Sequence, residues 1–175
     1  MLKVLYPYEY VESVFTIDYE ELYNKNVKGI IFDIDNTLVP HGADSNEKVD
    51  ELFKRIQSIG FNTLVLSNNT EERVKSFLKN IDCLYICDAE KPKVKNYLKA
   101  IEMLDLKKEN VVYVGDQIFT DIYGANRSGI PSILVKYIGY YDKGKKGIKR
   151  RLEKIILNLY NVRAKYKSRL GGVEK

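Results

Sequence analysis

Five short runs of the chain are apolar at nearly every position and rich in Val and Ile: Val27 to Ile34, Phe61 to Leu66, Cys83 to Cys87, Val111 to Val114 and Ser132 to Val135. Each is bounded by turn residues and is short for a helix, so each reads as a strand buried on both faces. Between the strands, apolar positions recur at helical spacing. Val49, Leu52, Phe53, Ile56 and Ile59 form one stripe, with Ser45 as its N-cap and Gly60 closing it. Thr70 opens the next, with Glu71 and Glu72 in a first turn that favours negative charge and Val74, Phe77, Leu78 and Ile81 facing inward. A third helix is expected from Pro92 or Lys93 to Leu106, and a short fourth from Thr120 or Asp121 to Gly129. Ahead of the first strand, residues 8–26 predict one or two short helices, with Asp18 capping Tyr19 to Asn24.

Wholly apolar strands that alternate with helices give a parallel sheet covered on both faces, because a helix is the usual crossover between parallel strands. The expected fold class is therefore α/β: a three-layer sandwich around a five-stranded, parallel, Rossmann-like sheet. Such sheets bind ligands beyond the carboxyl ends of their strands, where the strand order reverses. The residues at those ends are polar: Asp33, Asp35 and Thr37 after the first strand, Ser67, Asn68 and Asn69 after the second, Lys91 just past the third, and Gly115 and Asp116 after the fourth.

Asp33 and Asp35 lie two residues apart, so their side chains start on the same face. With Asp116 from a neighbouring strand they would repel one another unless a cation neutralised them. All-oxygen ligands select a hard ion, and Mg²⁺ keeps waters that a phosphate oxygen can replace. In such a site Asp33 is placed to attack phosphorus. Asp35 is placed to protonate the leaving oxygen and then to take a proton from water. Ser67, the backbone near Asn68, and Lys91 would hold the phosphoryl oxygens as their charge changes. Taken singly, each segment reads as readily as a turn or a helix cap; their joint placement at strand ends carries the chemistry.

The runs DIDNTL (33–38), SNN (67–69), KP (91–92) and GDQIFTD (115–121) resemble, in order and spacing, the four motifs of the haloacid dehalogenase-like (HAD) phosphatases. The resemblance implies Asp33 as nucleophile, Asp35 as acid/base, Ser67 and Lys91 as phosphate ligands and Asp116 as metal ligand. It also implies that Asp33 binds the metal through its side chain and Asp35 through its backbone carbonyl. Asp121 matches the family's second acidic position, which orients the lysine or metal-bound waters. Neither the segment between Asp35 and Ser67 nor that between Asn69 and Lys91 has room for a cap domain, and an open site suits a substrate that is large or presented on a surface. PYEYVESVFTID, GIIFDIDNTLV, SNNTEERV and KRRLEKIILNL further resemble the capless IIIA subgroup and its YqeG-like members, related to the mitochondrial phosphatidylglycerophosphate phosphatases. By that resemblance the substrate is a lipid head group, phosphatidylglycerophosphate, converted to phosphatidylglycerol.

Charge divides the chain. The net charge is +5, yet residues 143–175 hold 12 Lys and Arg against 2 acidic residues, a surplus of ten, which leaves residues 1–142 at −5. This predicts a phosphatase domain over 1–142 and a basic amphipathic tail over 143–175. A mildly acidic body is not the signature of a nucleic-acid binder. In a helix from Ile148 to Leu170, Ile148, Leu152, Ile155, Ile156, Leu159, Val162, Tyr166 and Leu170 share one stripe, with Lys149, Arg150, Lys154, Lys165 and Lys167 outside it. Such a helix can pack on its own domain or a partner, lie on an anionic membrane, or contact RNA on an inactive phosphatase fold.

No apolar run reaches the roughly 20 residues that span a bilayer, and the first residues lack a signal-peptide pattern. The expectation is a cytoplasmic protein, with peripheral contact at the inner face of the membrane if the tail binds lipid. Cys83 and Cys87, about 13 Å apart along a strand, are beyond disulfide reach and read as small buried hydrophobes. His41 stands alone in a loop.

Overall fold

The computed structural model describes residues 2–139 and 145–175, so the expected boundary between residues 142 and 143 lies outside the described residues. Its centre is a wholly parallel sheet of β1 (Glu9–Val11), β2 (Gly29–Phe32), β3 (Asn62–Leu66), β4 (Leu84–Ile86), β5 (Val111–Gly115) and β6 (Ser132–Val135). The spatial order is β1-β6-β5-β2-β3-β4. The chain winds from β2 through β3 to β4 at one edge and through β5 to β6 on the other side, so the order reverses at β2.

The sheet has six strands where the apolar runs predict five. β1 escapes the pattern because it is three residues long, lies at an edge and carries Glu9 and Tyr10; Glu9 is buried but satisfied by the Leu170 and Gly172 N–H groups, so the strand shows no apolar run. It falls within residues 8–26, for which the sequence predicts one or two short helices. The two turns that follow match that expectation better: Val14–Thr16 is a 3₁₀ turn and α1 is Tyr19–Asn24, capped by Asp18.

Alternation along β2 explains the two faces. Ile30 and Phe32 point to a core shared with α1, α2 (Glu47–Ile59) and α3 (Glu71–Phe77), filled by Leu22, Phe53, Ile56 and Phe77. Ile31 points to the opposite core with α4 (Val94–Leu104) and α5 (Tyr123–Arg127), where Tyr97, Tyr113 and Ala125 pack. The α2 cap sits one residue later than expected: Asn46, not Ser45, accepts the Val49 N–H at 3.2 Å.

The fourth helix divides in two. Ile118–Ile122 forms a π-helical turn before α5, and Tyr97 fixes it by donating its hydroxyl to the Thr120 carbonyl at 2.9 Å.

Helix α6 (Lys145–Asn161) packs Ile156 and Tyr160 against Tyr6, Ile118, Ile122 and Leu134. It ends earlier than the expected Leu170, because the following residues are drawn back to the body. Arg169 donates its N–H to the Tyr8 carbonyl, sends Nη2 to the carbonyls of Tyr6 (2.8 Å) and Pro7 (2.9 Å), and stacks on the Tyr8 ring. Gly171 and Gly172, both at positive φ, turn the chain so that Val173 is buried and its carbonyl accepts the Asp18 N–H at 2.7 Å. The tail's apolar stripe is therefore split: Ile156 is buried, whereas Ile148, Leu152, Ile155 and Val162 remain exposed. Among the described residues no helix is long and apolar enough to cross a membrane.

Candidate active site

Polar side chains from the ends of β2, β3 and β5 converge on a cleft of about 580 Å³ beyond the carboxyl edge of the sheet, at the point of strand reversal. Asp33 follows β2 directly, and its N–H still bonds the Val114 carbonyl of β5 at 2.9 Å, so sheet pairing fixes its position. Asp116 directly follows Gly115, the last residue of β5. Asp33, Asp116 and Asp121 are all buried and offer oxygens within 4.8 Å of one another.

Lys91 is the hub of this cluster. Its ammonium donates to Asp33 Oδ1 (2.6 Å), Asp121 Oδ1 (2.8 Å) and the Tyr113 hydroxyl (3.0 Å), which uses all three of its protons. Burial works against the lysine's charge, but Asp121 and Asp33 outweigh it and hold the ammonium firmly protonated. Both oxygens of Asp121 are committed, Oδ1 to Lys91 and Tyr113 and Oδ2 to the Gln117 N–H at 3.0 Å. Asp121 is thus held in place by its own turn and bonded to the lysine ammonium.

Two oxygens are left. Asp33 Oδ2 and Asp116 Oδ1 both face the hydroxyl of Thr37, at 3.3 and 3.4 Å. A hydroxyl has one proton to donate, so Thr37 serves only one of these two carboxylate oxygens at a time. The electrostatics agree: burial, together with repulsion from Asp121, lifts the Asp33 carboxyl to about 6 despite Lys91. Burial and repulsion from Asp121 and Asp33 push Asp116 well above the usual range. Buried oxygens that are short of positive charge fit a hard divalent cation, held by Asp33 and Asp116.

Asp35, grouped with the metal ligands by the sequence, turns its carboxylate the other way. Burial would raise it, but hydrogen bonds from Asn69 (2.8 Å) and the Gly42 N–H (3.0 Å), with His41 and Arg73 nearby, hold it below the ordinary carboxylate range. It lines the same cleft as Asp33. Ser67 is buried at the end of β3 and its hydroxyl caps the Asn69 N–H at 3.2 Å. The Asn68 side chain accepts the Lys91 N–H at 2.7 Å and so positions the lysine's backbone.

Sequence reasoning missed Arg150 and Glu153. Arg150 forms an ion pair with Asp116 Oδ2 and donates to the Asp116 carbonyl at 2.8 Å and to Glu153 Oε2 at 2.9 Å; Glu153 Oε1 accepts the Ile118 N–H at 2.8 Å. The amphipathic pattern puts Arg150 outside the apolar stripe without saying what it faces; the only local signal is a basic and an acidic residue three apart. His41 was also missed: its Nδ1 lies 3.2 Å from Asp35 Oδ2.

The comparisons with known proteins follow this geometry. Residues 41–129 match the family profile described as haloacid dehalogenase-like hydrolase. The chain is 38% identical over 160 residues to the Probable phosphatase YqeG of Bacillus subtilis (strain 168), covering 90% of this chain and 93% of that protein. It is 42% identical over 53 residues to the Glyceraldehyde 3-phosphate phosphatase of Methanopyrus kandleri, covering 30% of this chain and 23% of that one. Among solved structures, an uncharacterized protein from Listeria monocytogenes serotype 4b superimposes with a TM-score of 0.54 at 20% identity, over 77% of this chain and 99% of that one. At that identity the structure speaks for the fold alone. The sequence match over nine-tenths of the chain carries more, and with a profile match that runs from the loop before α2 through β5 to α5 it establishes that this chain belongs to the haloacid dehalogenase-like hydrolase family.

Proposed function

We propose that the chain is a Mg²⁺-dependent phosphatase that hydrolyses a phosphomonoester through an aspartyl-phosphate on Asp33. The observation that carries this reading is the pair of buried carboxylate oxygens that share a single Thr37 hydroxyl, Asp33 Oδ2 and Asp116 Oδ1, beside a lysine-held nucleophile at the strand reversal. Mg²⁺, held by Asp33, Asp116 and the Asp35 backbone carbonyl, would offset the negative charge of nucleophile and phosphate.

Lys91 anchors Asp33 Oδ1 and lends its positive charge to the phosphoryl oxygens, which the Ser67 hydroxyl and the backbone at Asn68 receive. Asp33 forms the bond to phosphorus as the bond to the leaving oxygen breaks, and Asp35 supplies that oxygen's proton. Asp35 then takes a proton from water as the water oxygen attacks phosphorus, which releases inorganic phosphate and frees Asp33. The donors around Asp35 favour its ionised form, so the proton it gives the leaving oxygen is one it first takes up from solvent or from a protonated phosphate ester, and the proton taken from the attacking water restores it.

The substrate in this reading is phosphatidylglycerophosphate, with the enzyme working from the cytoplasm at the inner membrane face. Support comes from the open cleft and from Ile148, Leu152 and Ile155, which are exposed on the helix that brings Lys149 and Arg150 to the cleft wall. The shorter match to a glyceraldehyde 3-phosphate phosphatase favours, as a second reading, a soluble phosphomonoester. Purified protein with Mg²⁺ is assayed on phosphatidylglycerophosphate in mixed micelles and on soluble phosphomonoesters, with Asp33→Asn as control. Phosphate release from the lipid is expected; turnover of soluble esters alone removes the lipid assignment, and full activity of Asp33→Asn removes the covalent mechanism.

A further inference from the structure

Helix α6 grips a single residue of the catalytic edge at two points. Arg150 Nη1 donates to the main-chain carbonyl of Asp116, and Nη2 pairs with Oδ2 of the same residue. Closing a ring through one residue's backbone and side chain fixes that side chain's rotamer as well as its charge. The guanidinium is itself held: Glu153, 5% exposed, accepts from Nη1 and is anchored on the Ile118 N–H, and the Tyr137 ring lies 4.4 Å away beneath the guanidinium. Asp116 is left with one oxygen, Oδ1, directed toward Asp33 and Thr37.

A carboxylate with only one available oxygen is a one-oxygen ligand. Mg²⁺ demands near-octahedral geometry at about 2.0–2.1 Å and suits such a ligand. Ca²⁺ accepts six to eight oxygens at about 2.3–2.6 Å, often from carboxylates that chelate with both. We infer that Arg150 is a positioning residue that confines Asp116 to single-oxygen ligation and so makes the site prefer Mg²⁺ over Ca²⁺. The C-terminal helix is then a working part of the metal centre. This inference rests on the reading of Asp33 and Asp116 as metal ligands.

The test is calorimetric titration of Mg²⁺ and of Ca²⁺, with no substrate present, into the full chain, Arg150→Ala, Arg150→Lys and Asp116→Asn. Arg150→Ala is expected to shift the ratio of the two dissociation constants toward Ca²⁺ by about tenfold, the lower end of what changes around a metal ligand produce. Arg150→Lys restores little of the preference, because one ammonium cannot span both acceptors. An unchanged ratio in folded Arg150→Ala overturns the inference, while weakened Mg²⁺ binding in Asp116→Asn keeps the metal site standing. A native chain that binds neither ion overturns both. Should Arg150→Ala fail to fold, Glu153→Gln loosens Arg150 without removing it; a smaller shift in the same direction supports the inference, and an unchanged ratio rejects it.

Discussion

A Cβ on Gly115 would lie 2.6 Å from Cγ of Asp121, so the last residue of β5 and the carboxylate that orients Lys91 occupy adjoining space with no room for a methyl group. Gly115 is not at positive φ; the close approach is the reason for glycine here.

Gly115→Ala should therefore act on chemistry more than on stability. Asp121 must move, and Lys91 loses the partner that aims it at Asp33. The expected result is a fall in kcat of about 100-fold, the scale set by misplacement of about 1 Å, with a far-ultraviolet circular dichroism spectrum like that of the native chain. Native kcat in a folded Gly115→Ala protein would contradict the assigned role of Asp121.

Tyr160 anchors α6. It is 3% exposed and packs against Tyr6 with ring centroids 6.0 Å apart. Tyr160→Ala should cost about 3–5 kcal/mol, the range for removing a large buried aromatic. Because α6 also carries Arg150 and Glu153, Mg²⁺ binding should weaken along with the urea midpoint. A midpoint within experimental error of the native value would show that α6 does not contribute to the core.

Glu9 gives a pH-dependent prediction remote from the metal ligands. Burial raises its carboxyl above the usual 4.5, against the hydrogen bonds it accepts from the Leu170 and Gly172 N–H groups. A raised folded-state value means that the folded protein holds this proton more tightly than the unfolded chain. Ionisation of Glu9 therefore lowers stability as pH rises through and above the unfolded value. Glu9→Gln keeps an acceptor for the tail amides and removes the buried charge. Its Tm should exceed the native Tm at pH 7, with the gain shrinking toward pH 4; a gain that grows on acidification would reverse the sign.

Much of this was readable from the residues alone. β2, β3 and β5 announce themselves because a strand buried on both faces must be apolar throughout, and Asp33, Ser67 and Asp116 stand out as the polar residues that end them. Lys91 was legible from its place just past the third strand, and Asp121 through the resemblance of its motif. β1 was not, since an edge strand with Glu9 and Tyr10 has no apolar run to show. Asn46 displaced Ser45 as the cap because either residue suits the position and local sequence does not choose between them. Arg150 was hidden for a different reason: periodicity separates the faces of a helix, but the docking of α6 through Ile156 and Tyr160 decides which charged residue meets Asp116.

The return of the last residues to Tyr8, Glu9, Thr16 and Asp18 has a consequence for biosynthesis. A ribosome delivers the covering segment some 160 positions after β1, so until then the nascent polypeptide holds Glu9 without the amides that will donate to it. Asp116, too, emerges before its guanidinium. A nascent chain cut short between Asp116 and Arg150 keeps an acidic pocket that lacks its arginine.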